Sequence, residues 1–324
     1  MKKVILSISA LIICTQLFAQ NTFRDSTKYY SFQVNYWFNL HHFLHLEAFI
    51  NVNEDSTIIA RKLPSNAQSK LDVAISYYKE NLADQDLRTS DYLTEFKQWI
   101  TKQEKTLDDI PSQFQSHIEV LQAVSDVYQK EFWPVHEKAC KKVLEENIEL
   151  IRKTEEKFVD RITTLTRQFW QREKLNVDIS YVGKVTKWNL RNRPYTSIFP
   201  THVVMNAIGE NEIKGNWIEL LYHESAHHLI LSNSYFIGGT IKDLTETMNV
   251  KSPRQLGHSY LFYFTGQLTK QLLAELGVFY ESIYMERNGV FSSYYPFLDI
   301  HLRDYMDRKI TLVEATQRMI KELQ

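Results

Sequence analysis

The stretch 219-ELLYHESAHHLI-230 decides how the rest of the chain is interpreted. It holds His223, Glu224, His227 and His228 within six residues, and leucine and isoleucine flank them on both sides. The apolar flanks predict a helix that is largely buried. Because burying several ionisable groups together is costly unless they are paired or bind a metal, the stretch predicts a metal site on this helix.

The order of these residues matches the pattern His-Glu-x-x-His. On a helix, His223 and His227 lie four positions apart and therefore share a face. Two imidazoles there can bind one zinc ion, and Glu224 between them is placed to act as general base toward an attacking water. The pattern predicts a zinc centre with a catalytic glutamate. The alternative is a helix whose polar residues lie near a domain surface without a metal.

The third zinc ligand is not part of the motif. The metzincin pattern would place a histidine where this chain has Asn233, so that subclass is not expected. A later glutamate, as in thermolysin-like enzymes, would be Glu275 or Glu281. His258 is the favoured candidate, because it stands alone near the start of an apolar, aromatic helical segment. The alternative for His258 is a helix cap or a packed ring.

The N-terminus has the features of a secretory signal peptide. A basic start is followed by the apolar run VILSISALIICTQLFA, which ends at the small residue Ala19. Cys14 could instead mark a lipoprotein anchor, but Ile13 before it is bulky for that processing site. We therefore predict cleavage after Ala19 and an exported protein, periplasmic or secreted. Cys140 is then the single cysteine left, so no disulfide is expected within the chain.

The amino-acid composition limits the possible fold classes and binding partners. The 324 residues include 38 Lys and Arg against 39 Asp and Glu, a balance that does not suggest a nucleic-acid partner, since nucleic acid favours a basic face. Only 9 Gly and 7 Pro are present, which favours long helices over a turn-rich sheet protein. No run after the signal peptide is long and apolar enough to span a membrane.

Helical periodicity dominates residues 20–175, and a mixed pattern follows in residues 176–324. Helices are predicted at 29–49, 70–82, 91–103 and 112–172, the last of them kinked at Pro134. Strands are predicted at 177–183 and 201–207, and further helices are predicted at 257–276 and 310–323. A loop is expected around Gly238, Gly239 and Pro253. The fold class is predicted as α+β and predominantly helical, with a small sheet beside the His-Glu-x-x-His helix.

The chain resembles a family of exported bacterial proteins of undetermined activity that carry a zincin-like His-Glu-x-x-His site. The resemblance is spread over NLHHFLH (39–45), FWPVHEKA (132–139), ELLYHESAHHL (219–229), GHSYLFYFTG (257–266) and YMERNGVF (284–291). Relatives have a similar His-x-x-x-Phe-Tyr-x-x-Gly stretch, which implies that His258 is the third ligand. Many of them carry Glu after that glycine, where this chain has Gln267, which weakens a ligand role for position 267.

Further expectations come from the resemblance alone. A zincin-like catalytic half implies that residues 201–207 form an edge strand lining a substrate cleft, with an ordinary internal strand as the alternative. It also implies an oxyanion donor, for which Tyr284 is the first candidate and Tyr263 and His301 are the others. The histidines of the first predicted helix, at positions 41, 42 and 45, could bind a second metal. Lining the cleft or bonding within the helical core is the expected role for them.

Together these features predict a zinc-dependent hydrolase, most simply a metallopeptidase that cleaves peptide or amide bonds. The substrate class could equally be a cell-wall or other amide. The alternatives from other classes are a non-catalytic zinc-binding or scaffold protein with a zincin-like fold, and a helical binding module in which the motif is accidental. Only the catalytic alternatives give Glu224 a role.

Overall fold

A computed structural model describes residues 22–53, 63–104, 106–186, 189–198, 201–209, 214–230 and 236–324. The predicted signal peptide, residues 1–19, lies outside the described residues. The helices are α1 Tyr36–Asn53, α2 Ser65–Asn81, α3 Asp91–Ile100, α4 Gln115–Glu131, α5 Trp133–Thr166, α6 Asn216–Ile230, α7 Phe236–Thr247, α8 Leu256–Glu275, α9 Tyr295–Met306 and α10 Leu312–Glu322. The strands are β1 Phe23–Ser26, β2 Tyr30–Val34, β3 Leu175–Ser180, β4 Lys184–Thr186, β5 Asn189–Arg193, β6 Tyr195–Ile198 and β7 Thr201–Asn206. The prediction of an α+β, mainly helical fold is confirmed.

Five strands form one mixed sheet in the order β1-β2-β3-β7-β6. Strands β2, β3 and β7 are parallel, whereas β1 and β6 pair antiparallel at the two edges. Strand β7 pairs on both sides, so the expectation that residues 201–207 form an edge strand is wrong. The edge strand on that side is β6, which the sequence pattern did not reveal. Strands β4 and β5 form a separate two-stranded ribbon.

The predicted helix at 29–49 is wrong in its first turns. Residues Tyr30–Val34 form β2, which lies between β1 and β3 and buries every second side chain. Helix α1 begins only after Asn35, whose side-chain oxygen accepts a 2.9 Å hydrogen bond from the backbone N–H of Phe38. The aromatic run continues from strand into helix, so its composition gives no sign of the change in periodicity.

Two other helix boundaries differ from expectation. The predicted long helix is interrupted at Phe132, between α4 and α5. Pro134 lies in the first turn of α5, where its missing N–H removes no helical hydrogen bond. Gly238 and Gly239 lie inside α7 and not in a loop, which corrects that prediction. The predicted helices at 257–276 and 310–323 correspond to α8 and α10 within a few residues.

Helix α6 lies at the centre of the packing. It contacts β6 and β7 on one side, and α5 and α8 on others. Tyr222 of α6 stacks face to face on Phe158 of α5, with ring centroids 3.8 Å apart. Strands from both the 20–175 and the 176–324 regions form the sheet, and the buried apolar residues of both regions form one continuous cluster.

Two further observations concern the whole described chain. Cys140 is buried as a free thiol. Every helix in the part of the chain that the structure describes is too short or too polar to cross a lipid bilayer.

Candidate metal centre

Three histidines from two helices converge on one point. His223 and His227 lie one turn apart on α6, with ring centroids 4.8 Å apart. His258, in the first turn of α8, has its ring centroid 5.5 Å from that of His223 and 5.2 Å from that of His227. One ring nitrogen of each lies within 4.8 Å of the others. The packing of α6 against α8 therefore joins the predicted third ligand to the motif.

The protonation of these rings suits metal binding. Burial, followed by the neighbouring imidazoles, lowers the pKa of His223 and of His227 well below the ordinary value. Burial also lowers the pKa of His258 to about 4, with Arg88 acting in the same direction. All three rings are therefore neutral at pH 7, which is the form that coordinates a metal.

Each histidine of the cluster has a buried ring nitrogen without a hydrogen-bond partner, as do His41, His45 and His301 elsewhere in the described chain. Buried polar atoms in proteins nearly always have a hydrogen-bond partner. Among the described residues, none bonds to Nδ1 of His223, Nδ1 of His227 or Nε2 of His258. Three neutral imidazoles on two helices are a donor set that zinc accepts, with a fourth position left for water or substrate. The residues present therefore fit a zinc ion.

Glu224 is buried beside the histidines and anchored to the edge strand. Its Oε2 atom lies 3.5 Å from Nε2 of His227. The Thr196 hydroxyl of β6 lies 2.9 Å from that same carboxylate oxygen and 2.8 Å from the Glu224 backbone oxygen. Burial raises the pKa of Glu224 to about 7, although the Thr196 hydroxyl and three nearby cations oppose this shift. Because burial makes its protonated form more accessible, this carboxyl is suited both to accept and to release a proton.

Aromatic rings form the wall around the histidines. Phe262, one turn after His258 on α8, has its ring centroid 4.1 Å from that of His223. Tyr284 is buried, with its ring centroid 5.1 Å from His223 and 4.5 Å from Phe262. The first candidate for an oxyanion donor therefore lies at the cluster. Tyr263 instead donates a 2.9 Å hydrogen bond to Asp299.

A buried carboxylate holds the segment that carries Tyr284. Glu219, one turn before His223 on α6, accepts hydrogen bonds from the Tyr280 hydroxyl (2.7 Å), the Ser282 hydroxyl (2.8 Å) and the Ile283 backbone N–H (3.1 Å). Ile283 begins the single π-helical turn Ile283–Arg287 that contains Tyr284. The sequence analysis missed Glu219, although its place in an otherwise apolar helical turn was a signal.

The other predicted ligand candidates lie elsewhere. Glu275 is 17 residues beyond His258, about 25 Å along α8, and it pairs with Lys157 and Arg161 at 2.6 Å each. Glu281 is exposed to solvent. The structure therefore brings His258, and not these carboxylates, to the motif.

The histidines of α1 are buried in the helical core. Nδ1 of His41 lies 3.0 Å from the Tyr78 hydroxyl, and Nε2 of His42 lies 2.8 Å from the Tyr195 hydroxyl. His45 is buried on the same helix. Within the described ranges, the cluster of α6 and α8 is the one group of three or more His, Cys, Asp or Glu residues able to share a metal. The expectation that these rings bond within the core therefore describes His41 and His42.

A buried lysine supports the edge strand from the side opposite Glu224. The Lys97 ammonium donates hydrogen bonds to the Tyr195 hydroxyl (3.2 Å), to the Ser197 hydroxyl (3.0 Å) and to the Leu87 carbonyl. Burial lowers the pKa of Lys97 to about 7. Strand β6 thus presents alternate residues to two polar sites, with Thr196 facing Glu224. Nothing in the sequence around Lys97 distinguishes it from an exposed lysine.

No protein-family model matches this chain, and comparisons with curated proteins and with solved structures find no significant match. What the site can do therefore follows from its own geometry and chemistry.

Proposed function

We propose that this protein is a zinc-dependent hydrolase, most simply a metallopeptidase that cleaves peptide or amide bonds outside the cytoplasm. The observation that carries the proposal is the convergence of His223, His227 and His258 beside the buried carboxyl of Glu224. Neutral imidazoles and an adjacent buried carboxyl are the groups that metal-assisted hydrolysis requires.

The three histidines would hold the ion through one ring nitrogen each. When bound, zinc supplies Lewis-acid polarisation of a carbonyl and lowers the pKa of water. Glu224 accepts the proton of the attacking water and then donates it to the leaving amine. Tyr284 donates a hydrogen bond to the carbonyl oxygen as negative charge develops there, and Glu219 keeps the turn of Tyr284 in place.

The edge strand supports a peptide as the substrate. Strand β6 pairs with β7 on one side, and no strand of the described chain pairs with its other side. An extended peptide can add to such an edge through main-chain hydrogen bonds. Thr196 of β6 contacts Glu224, so a peptide bound along this strand would lie next to the catalytic base.

A non-catalytic zinc site is the competing proposal. Structural zinc sites are usually closed by four protein ligands, whereas three histidines leave one position open. Such a site also has no use for a buried carboxyl beside the ligands, which costs free energy on burial. Glu224 therefore favours catalysis.

The test is the zinc content of the purified mature protein and of three variants. We expect about one zinc per chain in the parent protein, loss of zinc in His258→Ala, and full zinc in Glu275→Ala, the matched control on the same helix. Glu224→Gln should keep zinc and lose hydrolysis of a peptide mixture followed by mass spectrometry. A parent protein that binds no zinc after incubation with the metal and removal of the excess would overturn the proposal. A Glu224→Gln variant that still hydrolyses peptides would overturn the role of the base.

A further inference from the structure

A cavity of about 270 Å³ adjoins the candidate metal centre. Tyr284, whose ring packs against His223, forms part of its wall, and so does Leu220, one turn before Glu224 on α6. The other lining residues come from the end of β5, the end of β7 and the turns that follow them: Asn192, Arg193, Pro194, Asn206 and Gly209. The cavity therefore shares a wall with the reacting centre and is large enough for a substrate side chain.

The charge in this cavity belongs to Arg193. Of the lining residues, only Arg193 carries a full charge, and its side chain is half-buried. Within the described part of the chain, no carboxylate forms an ion pair with its guanidinium. Its charge helps to lower the pKa of Glu224 through space, but it forms neither a hydrogen bond nor an ion pair with that carboxylate. A partly desolvated guanidinium without such a contact gains most from a carboxylate, which it can bind through two parallel hydrogen bonds.

The cations nearby differ from Arg193 because they already have a counter-charge. Lys184 pairs with Asp86, and the Arg88 guanidinium lies 3.4 Å from the same carboxylate. These two residues therefore add to the positive field around the site, but a substrate would have to displace Asp86 to bind them. Arg193 is available without displacing an ion pair.

The position of Arg193 relates it to a bound peptide. Arg193 ends β5 and is separated from β6 by Pro194 alone, so it lies three residues before Thr196, the contact of Glu224. Three strand residues span about 10 Å. A peptide paired with β6 would therefore pass Arg193 within about three residues of the scissile bond.

We propose that this cavity binds a carboxylate of the substrate and that Arg193 selects it, so that the enzyme prefers acidic peptides or peptides with a free C-terminus. The inference rests on the proposed hydrolase function, because it places the subsite relative to the catalytic base. It narrows the substrate class from peptides in general to peptides with a carboxylate near the cleaved bond.

The experiment compares four sets of degenerate peptides of equal length. Two sets have amidated C-termini and differ only in Glu or Gln at one position, and two neutral sets differ only in a free or amidated C-terminus. Relative kcat/KM is measured by mass spectrometry for the parent protein, for Arg193→Gln, for Arg193→Glu and for Arg172→Gln, an exposed arginine that serves as control.

The parent protein should prefer the carboxylate over its amide by about tenfold or more, because hydrogen bonds to a charged group contribute that much. A preference in the first pair identifies an acidic side chain, and a preference in the second pair identifies the C-terminal carboxylate. Arg193→Gln should bring the ratio close to one, whereas Arg172→Gln should leave it unchanged. Arg193→Glu should reverse the preference, so that Gln is favoured over Glu and the amide over the free C-terminus, a reversal that misfolding cannot produce.

Equal turnover of carboxylate and amide peptides by the parent protein, or an unchanged ratio in Arg193→Gln, would overturn the subsite. A binding measurement separates this failure from failure of the proposed function. The same peptides, fluorescently labelled, are titrated into the zinc-loaded Glu224→Gln variant with and without Arg193→Gln. If no peptide is cleaved by the parent protein, the hydrolase proposal fails, and an Arg193-dependent preference in binding would still support the subsite.

Discussion

The contact between Thr196 and Glu224 offers the sharpest test of how the edge strand sets the pKa of the proposed catalytic base. Replacing Thr196 by Val removes the hydroxyl and keeps both the volume and the preference for a strand. The side chain is 5% exposed, so no bulk water is at hand to replace the lost hydrogen bond. The change is therefore confined to the two contacts that this hydroxyl makes with Glu224.

The magnitude follows from the geometry of that contact. A hydrogen bond to a charged group contributes about 1.5–3 kcal/mol, and one pKa unit corresponds to about 1.4 kcal/mol. The hydroxyl has one hydrogen, which it shares between Oε2 and the backbone oxygen of Glu224, so we take the lower end of this range. Because the hydroxyl stabilises the ionised carboxylate, its loss should raise the pKa of Glu224 by about one unit.

The assay is the pH dependence of kcat/KM, which reports the free enzyme. The base must be ionised, so activity falls as the pH falls through the pKa of Glu224. Thr196→Val should therefore move the acid limb about one unit to higher pH. A zinc ion bound to the three histidines would lower this pKa in both proteins, so the difference between them keeps its sign.

The control is Thr166→Val, which removes a buried hydroxyl that donates to the Ile162 carbonyl within α5. Infrared titration of the carboxyl band, with Glu224→Gln as the reference, gives the same pKa without any substrate. An acid limb that stays in place in Thr196→Val while the zinc content is retained would refute the reasoning that this contact sets the pKa of the base.

The remaining predictions concern stability. Gly266→Ala would place a methyl group 2.6 Å from the Ser282 hydroxyl and should lower the free energy of unfolding by about 1–3 kcal/mol. On the same helix, the added methyl group of Gly257→Ala would lie 3.6 Å from its nearest neighbouring atom, so this variant should be neutral or stabilising by up to about 1 kcal/mol. Equal free energies of unfolding for the two variants in urea would contradict the packing argument. Glu219→Gln replaces a carboxylate that accepts three hydrogen bonds and should lower the free energy of unfolding by about 2–3 kcal/mol in the same assay. An unchanged midpoint of urea unfolding would contradict this prediction. The pKa of Lys97 is about 7 in the folded protein and 10.5 for the free side chain. Between pH 7 and pH 10.5 the unfolded chain therefore binds more protons than the folded chain, and the free energy of unfolding rises with pH. The stability of the parent protein relative to Lys97→Met should therefore grow by about 1.4 kcal/mol per pH unit above pH 7, and a difference independent of pH would show that the lysine is not desolvated.

What the sequence by itself determined about this protein is local in character. The spacing of His223 and His227 places both rings on one helical face, and the apolar residues around them require that helix to be buried; both follow from residues within one or two turns. Helices α8 and α10 were predictable for the same reason, since their periodicity repeats over many residues. The mainly helical α+β class followed from these long periodic segments and the low content of glycine and proline.

Only the tertiary structure decided which distant residues meet at the site. His258 is 31 residues beyond His227, and the packing of α6 against α8 is what brings their rings together. Strand β6 is too short for its pattern to be recognised, and its place at the sheet edge depends on pairing with β7. Strand pairing and helix packing join residues far apart in the chain, so the residues within a single segment do not specify its neighbours. For the same reason, the partners of Glu224, the burial of Lys97 and the position of Arg193 beside the cavity became visible only in the folded chain.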